Sequence, residues 1–362
     1  MGIIVSVLIF GFLLIVGVLL AYSPGKPEPF LDEMGRPIAG SLSEKIFVDI
    51  GGLKQGMFLR SKNINNPVLL FVHGGPGFPE YFLFDHYPTC IEDHFTVCYW
   101  EQRGGGLSYS PDIPLVSMTL EQLTADTIEV TRYLRERFGQ DKIYLMAHSG
   151  GTAFAIQAAE EAPELYKAYI GVGQITRQAD SERLAYRYLV EQYSTAGNTK
   201  MLESLREYPV LESSASIQPF FKSLVRDQAM HELGVGTMRT MKSVFKDVFI
   251  PVMTCKAYTP REKINIWVSK ASFIRKTTLT DRLFALDLTM EVPELAIPVY
   301  FFSGAYDFTV NHDLSKAYLE KLQAPVKRFY TFDESAHSPI FEEPAKVRQI
   351  LVEDVLRGLS NP

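Results

Sequence analysis

The stretch Tyr144-Leu145-Met146-Ala147-His148-Ser149-Gly150-Gly151-Thr152 decides how this chain is read. An apolar run ends in small residues, and helix-forming sequence follows. A buried strand, a tight turn and a helix are predicted in that order. The pattern approaches the G-x-S-x-G nucleophile elbow. Small residues are needed two before and two after the serine, because larger ones would collide with the neighbouring strand and helix. Gly151 meets the second requirement, and Ala147 stands at the first with one extra methyl. Such a turn would hold the Ser149 hydroxyl out at the sheet edge. The Gly150 N–H would lie at a helix N-terminus, where it can stabilise an oxyanion. The plainer alternative is an ordinary β–α turn that contains a serine, since short patterns recur by chance.

Upstream, His73-Gly74-Gly75-Pro76-Gly77 directly follows the apolar run Val68–Val72. Acyl transfer needs a second N–H aimed at the oxyanion, and the loop after this strand is where it belongs. Pro76 has no N–H, so Gly75 is the candidate donor. His73 is expected to brace the loop, and His73 and Gly74 are candidates for substrate contact. In isolation the two glycines would mark only a Gly-Pro turn; their position relative to Ser149 favours the oxyanion loop.

A serine nucleophile needs a base, and the base needs an orienting carboxylate. Asp307 ends Gly304-Ala305-Tyr306-Asp307, just past a predicted strand over 298–303. His337 lies in Asp333-Glu334-Ser335-Ala336-His337-Ser338, just past a predicted strand over 326–332. Ligands bind beyond the C-terminal ends of such strands. The chain has 7 histidines, and His337 alone meets both the order and the location. His148 adjoins the serine, but neighbouring side chains on a tight turn point apart. The run Trp100-Glu101-Gln102-Arg103-Gly104-Gly105-Gly106-Leu107-Ser108 is a Gly-rich loop beside the site. It lacks the Lys-Ser/Thr ending of a phosphate loop, and no helix follows closely.

The rest of the chain supplies the frame. Residues 45–50 and 54–60 flank Gly51-Gly52 and read as a hairpin. Short apolar runs at 68–72, 96–100, 143–147 and 168–172 suit strands buried on both faces. Thr119-Leu120-Glu121-Gln122 predicts a capping box for a helix that stops at Gly139. Strands alternating with helices predict a mostly parallel α/β sheet. The alternation pauses over 177–290, which reads as consecutive helices inserted into one α/β unit.

With 362 residues, 46% of them hydrophobic, the chain can bury a sizeable core. The charge balance of 36 Lys+Arg against 42 Asp+Glu lacks any basic run, which excludes a nucleic-acid partner. The 3 cysteines cannot all pair and lack metal-site spacing, so no disulfide scaffold or metal site is expected. Residues 1–21 carry no charged side chain. At about 1.5 Å per residue, a helix there spans roughly the 30 Å hydrocarbon core of a bilayer. No Lys or Arg precedes the run, and Pro24 follows the best cleavage position, which argues against a signal peptide. A single-pass N-terminal membrane anchor over 1–22 is therefore expected, followed by a Pro-rich linker over 23–37. Lys26 and Arg36 would keep the domain on the cytoplasmic side, but two charges leave the side open.

Taken together, the loop at 73–77, the run 101–108 and the elbow at Ser149 resemble the proline iminopeptidase branch of the α/β-hydrolases. That family combines an HGGPG loop, a DQRGxGxS loop and a GxSxG elbow, with Asp and His later. The resemblance spans most of 45–175 and 297–345 and is weak in the insert. It implies an α/β-hydrolase core over 38–176 and 291–362, with a helical cap over 177–290 between the sixth and seventh strands. It implies a serine aminopeptidase without a cofactor, acting on short peptides with N-terminal proline or another small apolar residue. Glu101 stands where the family has Asp, and Ala147 where it usually has Gly. The family's aromatic-plus-Glu pattern for seating a free amine is not visible in the cap. Glu182, Glu191, Glu203, Glu207 and Glu212 are candidates there, and none is singled out. A membrane-anchored esterase or lipase of the same fold is the second reading. A non-enzymatic binding protein is the third, and the ordered Ser, Asp and His argue against it.

Overall fold

An antiparallel hairpin opens the sheet, with β1 (Leu42–Ile50) paired to β2 (Leu53–Ser61) through the Gly51-Gly52 turn. The computed structural model describes residues 19–358 apart from Pro76 and Lys242, together with Phe10 and Gly17. The elements that follow are β3 (Val68–Val72), α1 (Tyr81–His86), β4 (Thr96–Trp100), α2 (Leu120–Phe138), β5 (Ile143–His148) and α3 (Thr152–Glu161). Then come β6 (Tyr166–Val172), α4 (Gln178–Thr195), α5 (Leu224–Leu233), α6 (Pro260–Lys276), β7 (Val299–Gly304), α7 (His312–Lys321) and β8 (Lys327–Phe332).

Eight strands form one sheet in the order β1-β2-β4-β3-β5-β6-β7-β8. The β1–β2 and β2–β4 pairs are antiparallel and the rest are parallel. Every residue of β3, β4, β5 and β7 is buried, as expected for strands covered on both faces. The strand order reverses between β3 and β5. That is the crevice where open α/β sheets hold their ligands. The glycine loop follows β3, Ser149 follows β5, Asp307 follows β7 and His337 follows β8.

Helix α2 packs between the hairpin and α3. Thr119 caps it, accepting from Gln122 N at 3.1 Å, and Gly139 ends it in the left-handed conformation. The predicted capping box is only half made. The Gln122 side chain turns instead to Asp126, its amide donating to Oδ1 at 2.8 Å, because a buried carboxylate left short of donors is costly.

The chain between β6 and β7 is helical, and its two halves pack differently. Tyr186, Leu189, Phe220 and Met230 belong to an apolar cluster of their own. Met238, Val252, Tyr258 and Ile266 join the cluster that contains Phe71, Tyr99 and Phe302 of the sheet. Residues 23–37 are not a free linker. Gly25 N donates to the Lys256 carbonyl at 3.0 Å, Lys263 Nζ donates to the Tyr22 carbonyl at 2.6 Å, and Arg60 lies over the Phe30 ring. Backbone groups that would otherwise face water are taken up along the insert. Among the described residues no helix is long and apolar enough to cross a membrane. The anchor expected over 1–22 lies almost wholly outside those residues.

Candidate active site

The serine sits on a strained turn. Ser149 has φ of +52°, in the left-handed region, which costs about 1–2 kcal/mol for a residue with a Cβ. Holding it there requires close packing. A Cβ on Gly151 would lie 2.4 Å from the His73 carbonyl oxygen and 2.8 Å from that of Val72. Only glycine fits that position. A Cβ on Gly150 would lie 3.2 Å from the Gly75 carbonyl oxygen. The two candidate oxyanion donors therefore belong to backbone segments in direct contact. Gly75 itself has φ of +116°, open only to glycine.

The structure brings Asp307 and His337 together. His337 Nδ1 lies 2.8 Å from Asp307 Oδ2. The other oxygen of Asp307 accepts from Thr309 N and Val310 N, each at 2.9 Å. The carboxylate is thus fully engaged and cannot rotate away. Nε2 of His337 has no hydrogen-bond partner among the described residues. The backbone around His337 is tied on both sides, because Glu342 accepts from Ala336 N and Ser338 N at 3.0 and 3.2 Å. Glu342 also accepts from Arg239 N in the insert, and His337 N donates to the Gly236 carbonyl. Burial pushes the Glu342 carboxyl up to about 7, against the pull of its three N–H donors. Of the other candidate bases, His312 bonds Asp313 and Thr331 and takes no part.

Two histidines behind the site face different kinds of partner. Gln102 N donates to His73 Nε2 at 3.1 Å, so Nδ1 holds the proton and donates to the Gly74 carbonyl at 2.8 Å. His73 is neutral, and burial lowers it to about 4. His148 faces only acceptors. Its Nδ1 is 2.9 Å from both oxygens of Glu80, and its Nε2 is 2.9 Å from the His337 carbonyl. Burial works to discharge His148, but the charge and hydrogen bond of Glu80 overcome it and raise the imidazole above its ordinary value. Glu80 also accepts from Gly74 N at 3.0 Å. The two residues expected to contact substrate, His73 and Gly74, therefore have these polar groups occupied within the protein. Glu80 was not foreseen, because it stands outside every motif. Its one cue is a carboxylate three residues beyond the glycine loop, next to the apolar sequence of α1.

The Gly-rich run is a strut as well. Arg103 and Asp126 form a buried bidentate pair at 2.8 and 2.9 Å, which leaves that guanidinium no role in binding phosphate. Glu101 accepts from the Tyr258 hydroxyl and from Leu107 N, joining the loop to the insert. Burial pushes its carboxyl from an ordinary 4.5 up to about 8, against the pull of those two donors. The folded state thus keeps a proton that the unfolded chain releases. The stabilising contribution is complete below about pH 4.5 and is lost as pH rises through about 8. Glu101→Gln removes this dependence. In urea unfolding at about pH 5 and about pH 9, the variant should gain on the wild type at the higher pH. A difference that does not change with pH would refute the assignment.

The insert carboxylates separate sharply. Glu182 is buried and engaged, accepting from Arg226 through both oxygens at 2.7 Å and from Gln178 at 3.0 Å. It has no capacity left for a substrate ammonium group. Glu191, Glu203, Glu207 and Glu212 are exposed.

Comparison with known proteins agrees with this geometry. The model of the alpha/beta hydrolase fold family matches residues 67–344. A probable aminopeptidase, YbaC of Bacillus subtilis (strain 168), is 34% identical over 303 residues, covering 82% of this chain and 92% of that protein. The proline iminopeptidase of Saccharolobus solfataricus is 25% identical over 297 residues, covering 80% of this chain and 84% of that one. Among solved structures, the proline iminopeptidase of Mycobacterium smegmatis superposes with a TM-score of 0.61 at 16% identity, covering 85% of this chain and 96% of that one. VinJ superposes with a TM-score of 0.63 at 15% identity, covering 87% and 99%. At such identities the superpositions speak for the fold alone. The family match and the 34% identical relative speak for more: the chain belongs to the α/β-hydrolase fold family, in the branch that resembles the proline iminopeptidases.

Proposed function

We propose that this protein is a serine hydrolase that works through an acyl-enzyme and removes an N-terminal residue, proline or another small apolar one, from short peptides. The observation that carries this reading is the His337 imidazole. It is held by Asp307 at 2.8 Å, with Nε2 unengaged at the sheet edge where the strained Ser149 turn also lies. The names of the two relatives, a probable aminopeptidase and a proline iminopeptidase, support the substrate class.

In this reading Ser149 Oγ attacks the carbonyl carbon and His337 Nε2 takes its proton. Asp307 holds the imidazole in the tautomer that leaves Nε2 free, and it stabilises the imidazolium that forms. The N–H groups of Gly75 and Gly150 stabilise the tetrahedral oxyanion. His337 then protonates the leaving amine, and water hydrolyses the acyl-enzyme by the reverse sequence. The insert acts as the cap over Ser149. With Glu182 engaged by Arg226, any recognition of a free amine falls to another group.

The test compares a prolyl arylamide, its N-acetylated counterpart and a short-chain aryl ester on the full-length protein, with Ser149→Ala as background. The free-amine prolyl substrate should be turned over at least tenfold better, in kcat/KM, than its acetylated form. That ratio corresponds to about 1.4 kcal/mol of ammonium recognition. Ester turnover without arylamide cleavage would keep the serine mechanism and overturn the aminopeptidase.

A further inference from the structure

The serine mechanism proposed above uses one carboxylate–imidazole pair, Asp307–His337. A second such pair lies directly behind it and has no part in those steps. Glu80 and His148 are both buried, and both nitrogens of His148 point at oxygens that can only accept. A neutral imidazole would aim a lone pair at one of those oxygens from 2.9 Å. We propose that Glu80 and His148 form a charged pair that positions His337 and the oxyanion loop together, so that hydrolysis depends on His148 keeping both protons.

The geometry joins the two halves of the site through one carboxylate. Glu80 accepts from Gly74 N on the oxyanion loop at 3.0 Å. It holds His148, and His148 in turn donates to the carbonyl of His337 at 2.9 Å. The rings of His148 and His337 lie 4.9 Å apart between centroids. A His148 that lost a proton would release either the Glu80 oxygens or the His337 carbonyl. Either loss leaves a buried acceptor unpaired and frees one half of the site to move. The groups facing this pair differ in sign and range. His73 is neutral, lowered to about 4 by burial. Glu80 feels burial raise it, but His148 pulls it below its ordinary value. Asp307 adds a further favourable charge toward His148. His337 must be neutral to act as base. Deprotonation of His148 shapes the alkaline side of the rate profile.

The test reads the reactivity of Ser149 with a fluorophosphonate, which needs no knowledge of the substrate. In wild type the inactivation rate should fall on the alkaline side. His148→Gln, whose amide can donate to one partner but not to both, should react about 10–100-fold more slowly at the optimum. Its alkaline fall should be absent. Glu80→Gln removes the charge that sustains the imidazolium, so the alkaline fall should move to lower pH. A merely structural role would lower the rate without moving that limb. In parallel, nitrogen-15 NMR of histidine-labelled wild type, with the His148 signals assigned by loss in the variant or by selective labelling, should show both ring nitrogens protonated at about pH 8. A neutral tautomer there overturns the proposal, whether or not the variants fold. Wild-type reactivity with an unmoved alkaline limb in both variants also overturns it. Absence of labelling that depends on Ser149 in the wild type would instead sink the serine mechanism, and the NMR result would still decide the charged pair.

Discussion

Ser149→Ala should lower kcat for the preferred substrate by roughly four to six orders of magnitude while leaving KM within a few-fold of wild type. The alanine keeps a Cβ, so the turn at φ of +52° stays as strained as before and the variant should be no more stable. Ser149→Gly should be equally inactive but should gain about 1 kcal/mol of stability, because glycine adopts this φ without strain. The two variants therefore separate the reactive hydroxyl from the geometry that presents it. Steady-state kinetics and urea unfolding on the pair decide the matter. Residual activity above about one per cent of wild type would mean that another nucleophile acts. A glycine variant less stable than the alanine variant would mean that the turn is not strained in solution.

The parts of this site that were legible in the sequence are those written in local patterns. The strands at 68–72 and 96–100 coincide with β3 and β4 because strands buried on both faces read as unbroken apolar runs. Ser149, Asp307 and His337 could be ordered because each follows a strand of the sheet. Glu80 was invisible for the opposite reason. Its meaning comes from His148, 68 residues away, and from Gly74, and neither contact has a sequence spacing to recognise. His148 was read as pointing away from the serine. Its bonds run to Glu80 and to the backbone of His337, a role that no local rule supplies. The insert carboxylates failed in the same way. Glu182 differs from Glu191 chiefly through its burial against Arg226, which lies 44 residues further along the chain. Half-buried and exposed helix faces carry the same residue types, so only packing separates them.

The largest effect on stability should come from a residue with no contact to the proposed reacting atoms. Asp126 accepts from Arg103 Nε and Nη2, from Gln55 at 2.7 Å and from Gln122 at 2.8 Å. It is fully buried, and Arg103 is 2% exposed. Arg103 also donates to the Gly51 carbonyl in the turn between β1 and β2. One carboxylate thus ties the hairpin, α2 and the Gly-rich loop to each other. Asp126→Ala leaves a guanidinium buried without its counter-charge and should destabilise the fold by about 3–5 kcal/mol, read as a lower urea midpoint. Replacing both partners with apolar residues of similar volume, Arg103→Met with Asp126→Leu, should recover much of that loss, because the cost lies in the stranded charge more than in the missing pair. The reverse pattern, a mild single variant and a severe double one, would show that the pair itself holds the elements together. At temperatures where Asp126→Ala remains folded, its kcat should stay near wild type. The strut meets the glycine loop through Gln102 and His73, and those bonds do not pass through Asp126.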